Sequence, residues 1–252
     1  MKYKKVSIEE SKKIRFDILV EVDNFCRNNN LRYFLSYGTL LGAIRHKGYI
    51  PWDDDADIMM PRKDLEIFKK KFSSKRFKYS DLDTEIGYEF PFPRITCRET
   101  FDKKGWLTKF YGVNVDLYPI DGIPEKDSDI KVFFDKYESL LKKRRYLIRF
   151  RNKLMKFFPV RTVPFLKSFT NRSVDWIKQF DMTKSSKVMV TDSRVYERKI
   201  FDRAVEVEFE GHMFYAPVGY DAFLKTSYGN YMQLPPENER IPYHGGNYYW
   251  KE

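Results

Sequence analysis

The sequence predicts an α/β (α+β) protein: a mixed sheet flanked by helices and carrying a basic helical insertion. Three observations lead there. Apolar residues recur at helical spacing in several stretches, Ile14, Ile18, Val22 and Phe25 among them. Short stretches of strand character lie between, bounded by Gly, Pro and Asn. Charge is unevenly placed: between Lys131 and Lys178, fourteen Lys and Arg stand against Asp135, Glu138 and Asp175, a surplus of +11 that equals the net charge of the whole chain.

Taken in order, a helix is expected from Ser7 to about Asn30, opened by the capping-box pattern Ser7-Ile8-Glu9-Glu10 and closed by three asparagines. Arg32 to Ser36 has strand character, and Gly38-Thr39 opens a second helix, Leu40 to His46, with Gly48 as its stop. Pro51 and Trp52 mark a turn before a strand at Asp55 to Met60. Leu65, Phe68 and Phe72 define a helix over Asp64 to Phe72. Prolines and Gly105 separate short strands between Tyr88 and Asn114, and Gly112 to Tyr118 alternates as a half-buried strand does. Helices are expected at Ser128 to Phe158 and Asn171 to Phe180. A hairpin turns at Glu210-Gly211 between Val205–Phe209 and His212–Ala216, a last helix covers Tyr220 to Tyr228, and the tail from Gln233 reads as loop.

At 42% hydrophobic and 17% aromatic, the 252 residues can bury a substantial core, and 1–252 read as a single domain including the basic segment at about 128–180. No apolar run is long enough to cross a bilayer, because Arg161, two prolines and Lys167 break Phe157 to Phe169. The first residues lack the apolar stretch of a secretory signal, so a cytoplasmic protein is expected. Cys26 and Cys97, far apart and without metal-ligand spacing, read as reduced core cysteines. The localised basic excess implies an anionic partner.

Candidate chemistry centres on Trp52-Asp53-Asp54-Asp55-Ala56-Asp57. In an extended chain Asp53, Asp55 and Asp57 share one face, with neighbours about 7 Å apart at Cα. Three like charges beside Ile58-Met59-Met60 repel one another unless a cation neutralises them, and carboxylate oxygens suit Mg²⁺ or Mn²⁺. A solvated acidic turn is the alternative. A calcium loop fails, because Ile58 stands where the sharp turn needs Gly and Asp64 where the last ligand is Glu. Gly38-Thr39, at a strand end opening a helix, has the form of a phosphate seat, although such junctions are common without any ligand. Asp116, in Val113-Asn114-Val115-Asp116-Leu117-Tyr118, is the natural third carboxylate. Gly-Thr, then Asp-x-Asp, then a third Asp on a later strand resembles the nucleotidyltransferase fold, in which three carboxylates carry the metal.

The likeness extends along Tyr37-Gly38-Thr39-Leu40-Leu41-Gly42-Ala43-Ile44-Arg45-His46-Lys47-Gly48-Tyr49-Ile50-Pro51-Trp52-Asp53-Asp54-Asp55-Ala56-Asp57. It continues through Asp116-Leu117-Tyr118-Pro119-Ile120-Asp121 and Tyr228-Gly229-Asn230-Tyr231-Met232-Gln233-Leu234-Pro235-Pro236. Together these stretches resemble the signature of the LicD family, which includes phosphocholine transferases and is related to the fukutin-type ribitol-phosphate transferases. The basic region matches no family motif. The resemblance implies Mg²⁺-dependent transfer of a phospho-alcohol, phosphocholine as the leading instance, from a CDP-activated alcohol donor. The acceptor would be a hydroxyl of a glycan or lipid-linked glycan such as teichoic acid, capsule or lipopolysaccharide. Asp55, Asp57 and Asp116 would hold the metal, Gly38 and Thr39 would seat phosphate, and Asp53 or Asp121 would accept the hydroxyl proton. Arg45 either pairs with phosphate or forms, with His46 and Lys47, a solvated end that complements the helix dipole. Trp52 either stacks on a base or quaternary ammonium or packs.

Two further readings differ in class. A nucleotidyltransferase moving NMP to a sugar phosphate or protein would use the same carboxylates. A nucleic-acid-binding module rests on charge alone, without an RNP, zinc-finger or helix-turn-helix pattern, so no nucleic acid is expected. Within residues 131–178, Tyr146, Leu147 and Phe150 interleave with Lys142, Lys143, Arg144, Arg145 and Arg149. That is the composition of a basic amphipathic helix in peripheral contact with an anionic membrane at its inner face, or else of a solvated basic cover.

Overall fold

The computed structural model describes residues 3–85, 88–102, 111–154, 171–172, 174–241 and 247–251. Helix α1 (Ile8–Asn28) starts at Ser7, whose hydroxyl accepts the Glu10 amide while the Glu10 carboxylate accepts the Ser7 amide, the full capping box. Ile14, Ile18, Leu19, Val22 and Cys26 form its buried face. The expected strand at 32–36 shrinks to β1 (Phe34–Leu35), because helix α2 (Tyr37–His46) begins directly after Ser36, before Gly38. The stop of α2 is Lys47, left-handed at φ 60°, and not Gly48. Gly48 serves close packing instead, since a Cβ there would strike the Glu210 carboxylate.

Strand β2 (Asp57–Pro61) runs parallel to β6 (Asn114–Gly122), in a register that sets Asp57 opposite Asp116 and Pro61 opposite Ile120. A parallel pair needs a crossover, and helix α3 (Arg62–Lys71) lies on it. The chain then forms β3 (Phe77–Ser80) and β4 (Arg94–Cys97), and later β7 (Lys187–Val190) and β8 (Tyr196–Glu197). The sheet runs β1-β2-β6-β4-β3, with β7 against the far end of β6 and β8 beyond it, every pair but β2–β6 antiparallel. The mixed α/β class is as expected. Strand β6 outruns its expected end at Tyr118, passing through Pro119. Its edge neighbour changes there, from β4 over residues 114–116 to β7 over residues 120–122. Leu117 N donates to Pro93 O on that side, so the N–H that Pro119 lacks falls in the gap between two partners.

Strands β9 (Ala204–Phe209) and β10 (His212–Pro217) form the expected hairpin. Its two turn residues, Glu210 and Gly211, both have positive φ (51° and 76°), the type I′ geometry that matches strand twist. Helix α5 (Tyr220–Tyr228) follows, as expected, and ends at Gly229. The tail is more than loop: β11 (Tyr248–Trp250) pairs with β5 (Thr100–Asp102). Its Tyr-Tyr-Trp run has strong strand character that the Gly and Pro around it obscure in the sequence.

The basic region contains helix α4 (Asp127–Leu154), and residues 174–177 are also helical. Residues 155–158, the end of the first expected helix, lie outside the described residues, as do residues 159–170. Phe133 and Tyr137 of α4 pack on Trp176 and Phe180 in a core of their own with Ile123, Ile177 and Met189. Arg144 leaves the expected cationic face. It is buried and donates to the carbonyls of Glu89 (2.5 Å) and Phe90 (2.8 Å), tying α4 to the loop before β4. Both cysteines are buried and free.

Across the sheet, Asp121 at the end of β6 is buried and bidentate with Arg62 at the start of α3 (2.8 and 2.5 Å). Removing one partner leaves the other charge uncompensated, so Arg62→Met is expected to cost about 3–5 kcal/mol in urea unfolding. A loss under about 1 kcal/mol would show that the pair does not anchor α3 to the sheet.

Candidate active site

The turn at Ile50 to Asp53 closes through Asp53 N to Ile50 O (2.9 Å), and regular strand begins only at Asp57. Asp53 and Asp55 therefore precede the strand and do not share its pleat, contrary to the expectation of an extended run from Asp55. They still converge. Asp53 and Asp55 share a hydrogen bond, and Asp57 is repelled by Asp55, Asp116 and Asp53 in turn. Burial first and Asp55 second push the Asp53 carboxyl up to about 7. Asp57, 7% exposed, has its proton affinity raised well above the usual carboxylate range by burial and then by its three neighbours, and its carboxylate accepts no hydrogen bond from the described residues.

Asp116 is handled differently. Arg94, one strand over, meets it through Nε at 2.6 Å and through NH2 at 3.1 Å, and Asn114 Nδ2 adds a hydrogen bond of 2.7 Å. The Arg94 guanidinium lies 3.4 Å from the Phe90 ring centre, which fixes it over the strand. Burial raises the Asp116 carboxyl, and Arg94 works against that shift. Sequence reasoning did not single out Arg94 or Asn114. The alternation of β6 places Asn114 on the same face as Asp116, a signal that was present.

Thr39 turns inward, where its hydroxyl accepts the Asp57 amide at 2.8 Å and Ser36 N donates to Asp57 O at 3.0 Å, so the first turn of α2 fixes the start of β2. Gly38 permits contact with Asp53: a Cβ there would lie 2.5 Å from Asp53 Oδ2. The expected phosphate seat therefore has a carboxylate at its mouth. Tyr37, which opens α2, is held at φ 41° and donates from its hydroxyl to Val190 O (2.7 Å) and Asp192 (3.0 Å), backbone strain of the kind that concentrates at functional sites. Asp121, the other candidate base, is occupied by Arg62 on both oxygens.

A cleft of about 610 Å³ opens beside this cluster, walled by Gly38, Arg45, Trp52, Asp53, Tyr228 and Gln233 with their neighbours. The Tyr228–Pro236 stretch thus returns to the Gly38–Asp57 stretch in space. Arg45 ties the two together, donating to Tyr231 O (2.7 Å). Trp52 packs edge-on to His46 and lies under Arg240, with a face on the cleft. Tyr228 is 44% exposed, yet burial of its hydroxyl and then Asp57, Asp53 and Asp55 suppress its ionisation.

Hard, mutually repelling oxygens in a buried cluster suit a divalent cation chemically. Geometrically the set is open: among the described residues no three His, Cys, Asp or Glu side chains stand together as metal ligands, and Asp116 faces Arg94.

Fold and site together define an α/β protein with a carboxylate cluster beside a cleft. The family model described as LicD/FKTN/FKRP, nucleotidyltransferase domain, matches residues 30–171, and the chain belongs to that family. It is similar along nearly its whole length to the lipopolysaccharide cholinephosphotransferase LicD of Haemophilus influenzae, 27% identical over 266 residues covering 96% of this chain and 97% of that protein. An uncharacterised protein of Rickettsia prowazekii is 30% identical over 131 residues, 46% of this chain and 48% of its own length.

Two substitutions test the geometry. Gly38→Ala must displace the Asp53 carboxylate, so ligand turnover should fall at least about tenfold while stability changes by less than about 1 kcal/mol, helix propensity offsetting the contact. Asp57→Asn removes a buried carboxyl whose ionised form burial and three neighbours oppose, so with chelator present the melting temperature should rise. A fall would mean that Asp57 contributes to stability through a partner.

Proposed function

We propose that this protein transfers a phospho-alcohol, phosphocholine first among candidates, from a CDP-activated donor to a hydroxyl of a cell-surface glycan such as lipopolysaccharide, capsule or teichoic acid. The observation that carries this reading is the in-register pairing of Asp57 with Asp116 beside a cleft of about 610 Å³ that Asp53 lines. Similarity over nearly the full length to a protein named for cholinephosphate transfer onto lipopolysaccharide supports it.

In this reading Arg45 and Trp52 hold the donor in the cleft with Gly38, and Thr39 keeps Asp57 in place. Trp52 and Tyr228 offer aromatic faces to a quaternary ammonium. Mg²⁺ or Mn²⁺, held by Asp55 and Asp57 and by Asp116 once it releases Arg94, would neutralise charge on the donor pyrophosphate. Asp53 takes the acceptor's hydroxyl proton as that oxygen bonds to phosphorus, and CMP departs with the electron pair of the broken P–O bond. Incubation with CDP-choline and lipopolysaccharide should release CMP only when a divalent cation is added. Asp55→Asn and Asp57→Asn should each lower kcat by about a hundredfold or more with the fold intact. Full activity in both variants would remove the carboxylates from the mechanism, and release of phosphocholine in place of CMP would favour NMP transfer.

A second surface bears on where the acceptor is met. Helix α4 exposes Tyr146 (71%) and Phe150 (46%) one turn apart, among exposed Lys142, Lys143, Arg145, Arg149 and Lys153. Such a face lies against an anionic leaflet, each cation near it contributing about 1 kcal/mol. No helix among the described residues is long and apolar enough to cross a membrane. Co-sedimentation with vesicles should therefore rise with anionic lipid and fall with salt. Equal binding by a variant with Lys142, Lys143 and Arg145 all changed to Gln would exclude this face as the dock.

A further inference from the structure

A second cavity, of about 310 Å³, lies on the other side of Trp52 and Asp53, so these two residues border both spaces. Its remaining wall comes from the start of α1, from the chain before it and from Asn247 and Tyr248, and it contributes three cations, Lys5, Lys12 and Arg15.

Arg15 is the unusual one. It is 5% exposed, its NH1 donates to Ser11 Oγ at 2.5 Å, and its guanidinium lies 5.7 Å from the Tyr248 ring centre. Its Nε is buried without a hydrogen-bond partner, and among the described residues no carboxylate meets it directly, although its charge reaches Asp116. The buried guanidiniums of Arg62 and Arg94 each meet an aspartate. A guanidinium taken out of water with no carboxylate in direct contact has a desolvation cost that an incoming anion offsets, and its planar donors suit phosphate and carboxylate oxygens. Lys12, whose ammonium lies over the Tyr49 ring at 5.1 Å, adds a second positive charge on the same wall. The capping box already satisfies the end of α1, so the side chains and not the helix dipole make the seat. The acidic residues Asp53 and Asp54 also line the cavity.

We propose that this second cavity is the acceptor subsite, in which Arg15 and Lys12 bind a phosphate or carboxylate carried by the acceptor saccharide and so bring a neighbouring hydroxyl to Asp53. This rests on the transferase reading above. An anion held at one end and a proton acceptor at the other orient a saccharide in a way that neither does alone. The proposal also separates the ligands: the donor enters from the 610 Å³ cleft, the acceptor from the 310 Å³ cavity, and they meet at Trp52–Asp53.

The test is a binding titration of the full chain by NMR or calorimetry at low salt, without donor, so that its outcome does not depend on turnover. The probes are glucose 6-phosphate, glucuronate and glucose. The two anionic sugars should bind and glucose should not, with the tighter of the two identifying the anion class. Arg15→Met and Lys12→Gln should each weaken the anionic probes at least about tenfold, with Lys12→Gln guarding against misfolding of the buried variant. CDP-choline should bind alongside the sugar phosphate without competing. Unchanged affinity in both variants, equal binding of glucose, or competition with CDP-choline would each overturn the assignment. Failure of the titration leaves the CMP-release assay standing, and failure of that assay leaves an anion site at Arg15 to be measured.

Discussion

Two acidic residues side by side on a buried parallel strand pair set the terms for the rest of the molecule. The register of β2 against β6 gives Asp57 and Asp116 no distance in which to relax, because the flanking ladder residues, Ile58, Met59, Leu117 and Ile120, are all buried and fix the alignment. A one-residue slip would turn every side chain of the strand to the opposite face and part Asp57 from Asp116. The hydrophobic pattern therefore enforces an electrostatic arrangement that the carboxylates alone would oppose.

The surrounding chain meets that cost unevenly, and the unevenness separates roles. Asp116 receives Arg94 and Asn114, and Asp121 receives Arg62, so β6 carries two charges that are compensated locally. Asp57 receives backbone support through its amide from Thr39, while its carboxylate is left among like charges. Preorganised polarity of this kind is common where a cation or a developing charge must be met. Gly38 and Thr39 touch Asp53 and Asp57, and Trp52 precedes Asp53 in the same short stretch of chain, which explains why one contiguous stretch of sequence carries so much of the site.

Much of this was readable in advance, for physical reasons that also mark the limits. Capping at Ser7, the Glu210-Gly211 turn and the helix at Tyr220–Tyr228 are local effects, written in adjacent residues. The pairing of Asp57 with Asp116 was accessible because both sit in motifs. Arg94 and Arg15 were not, since each matters through contacts distant in sequence that no periodicity encodes. Lys47 in place of Gly48 as the stop of α2, and the passage of β6 through Pro119, show tertiary context overriding the ordinary preferences of single residues. The strand start at Asp57, later than expected, follows from the turn that Asp53 closes on Ile50.

One closure has a consequence for how the molecule assembles. Val6 N bonds to Tyr248 O, Trp250 N bonds to Lys4 O, and Lys5 bridges Tyr249, so the residues before α1 are stitched to the β11 strand, itself paired with β5. Contacts so far apart in sequence carry the greatest entropy of loop closure and form after local elements have condensed. The aspartate strand pair and its helices can thus exist in a partly folded chain that still lacks the stitched edge. The smaller cavity is then completed late in folding, and a chain nicked or frayed at that edge would keep its carboxylates in register while losing a wall of that cavity.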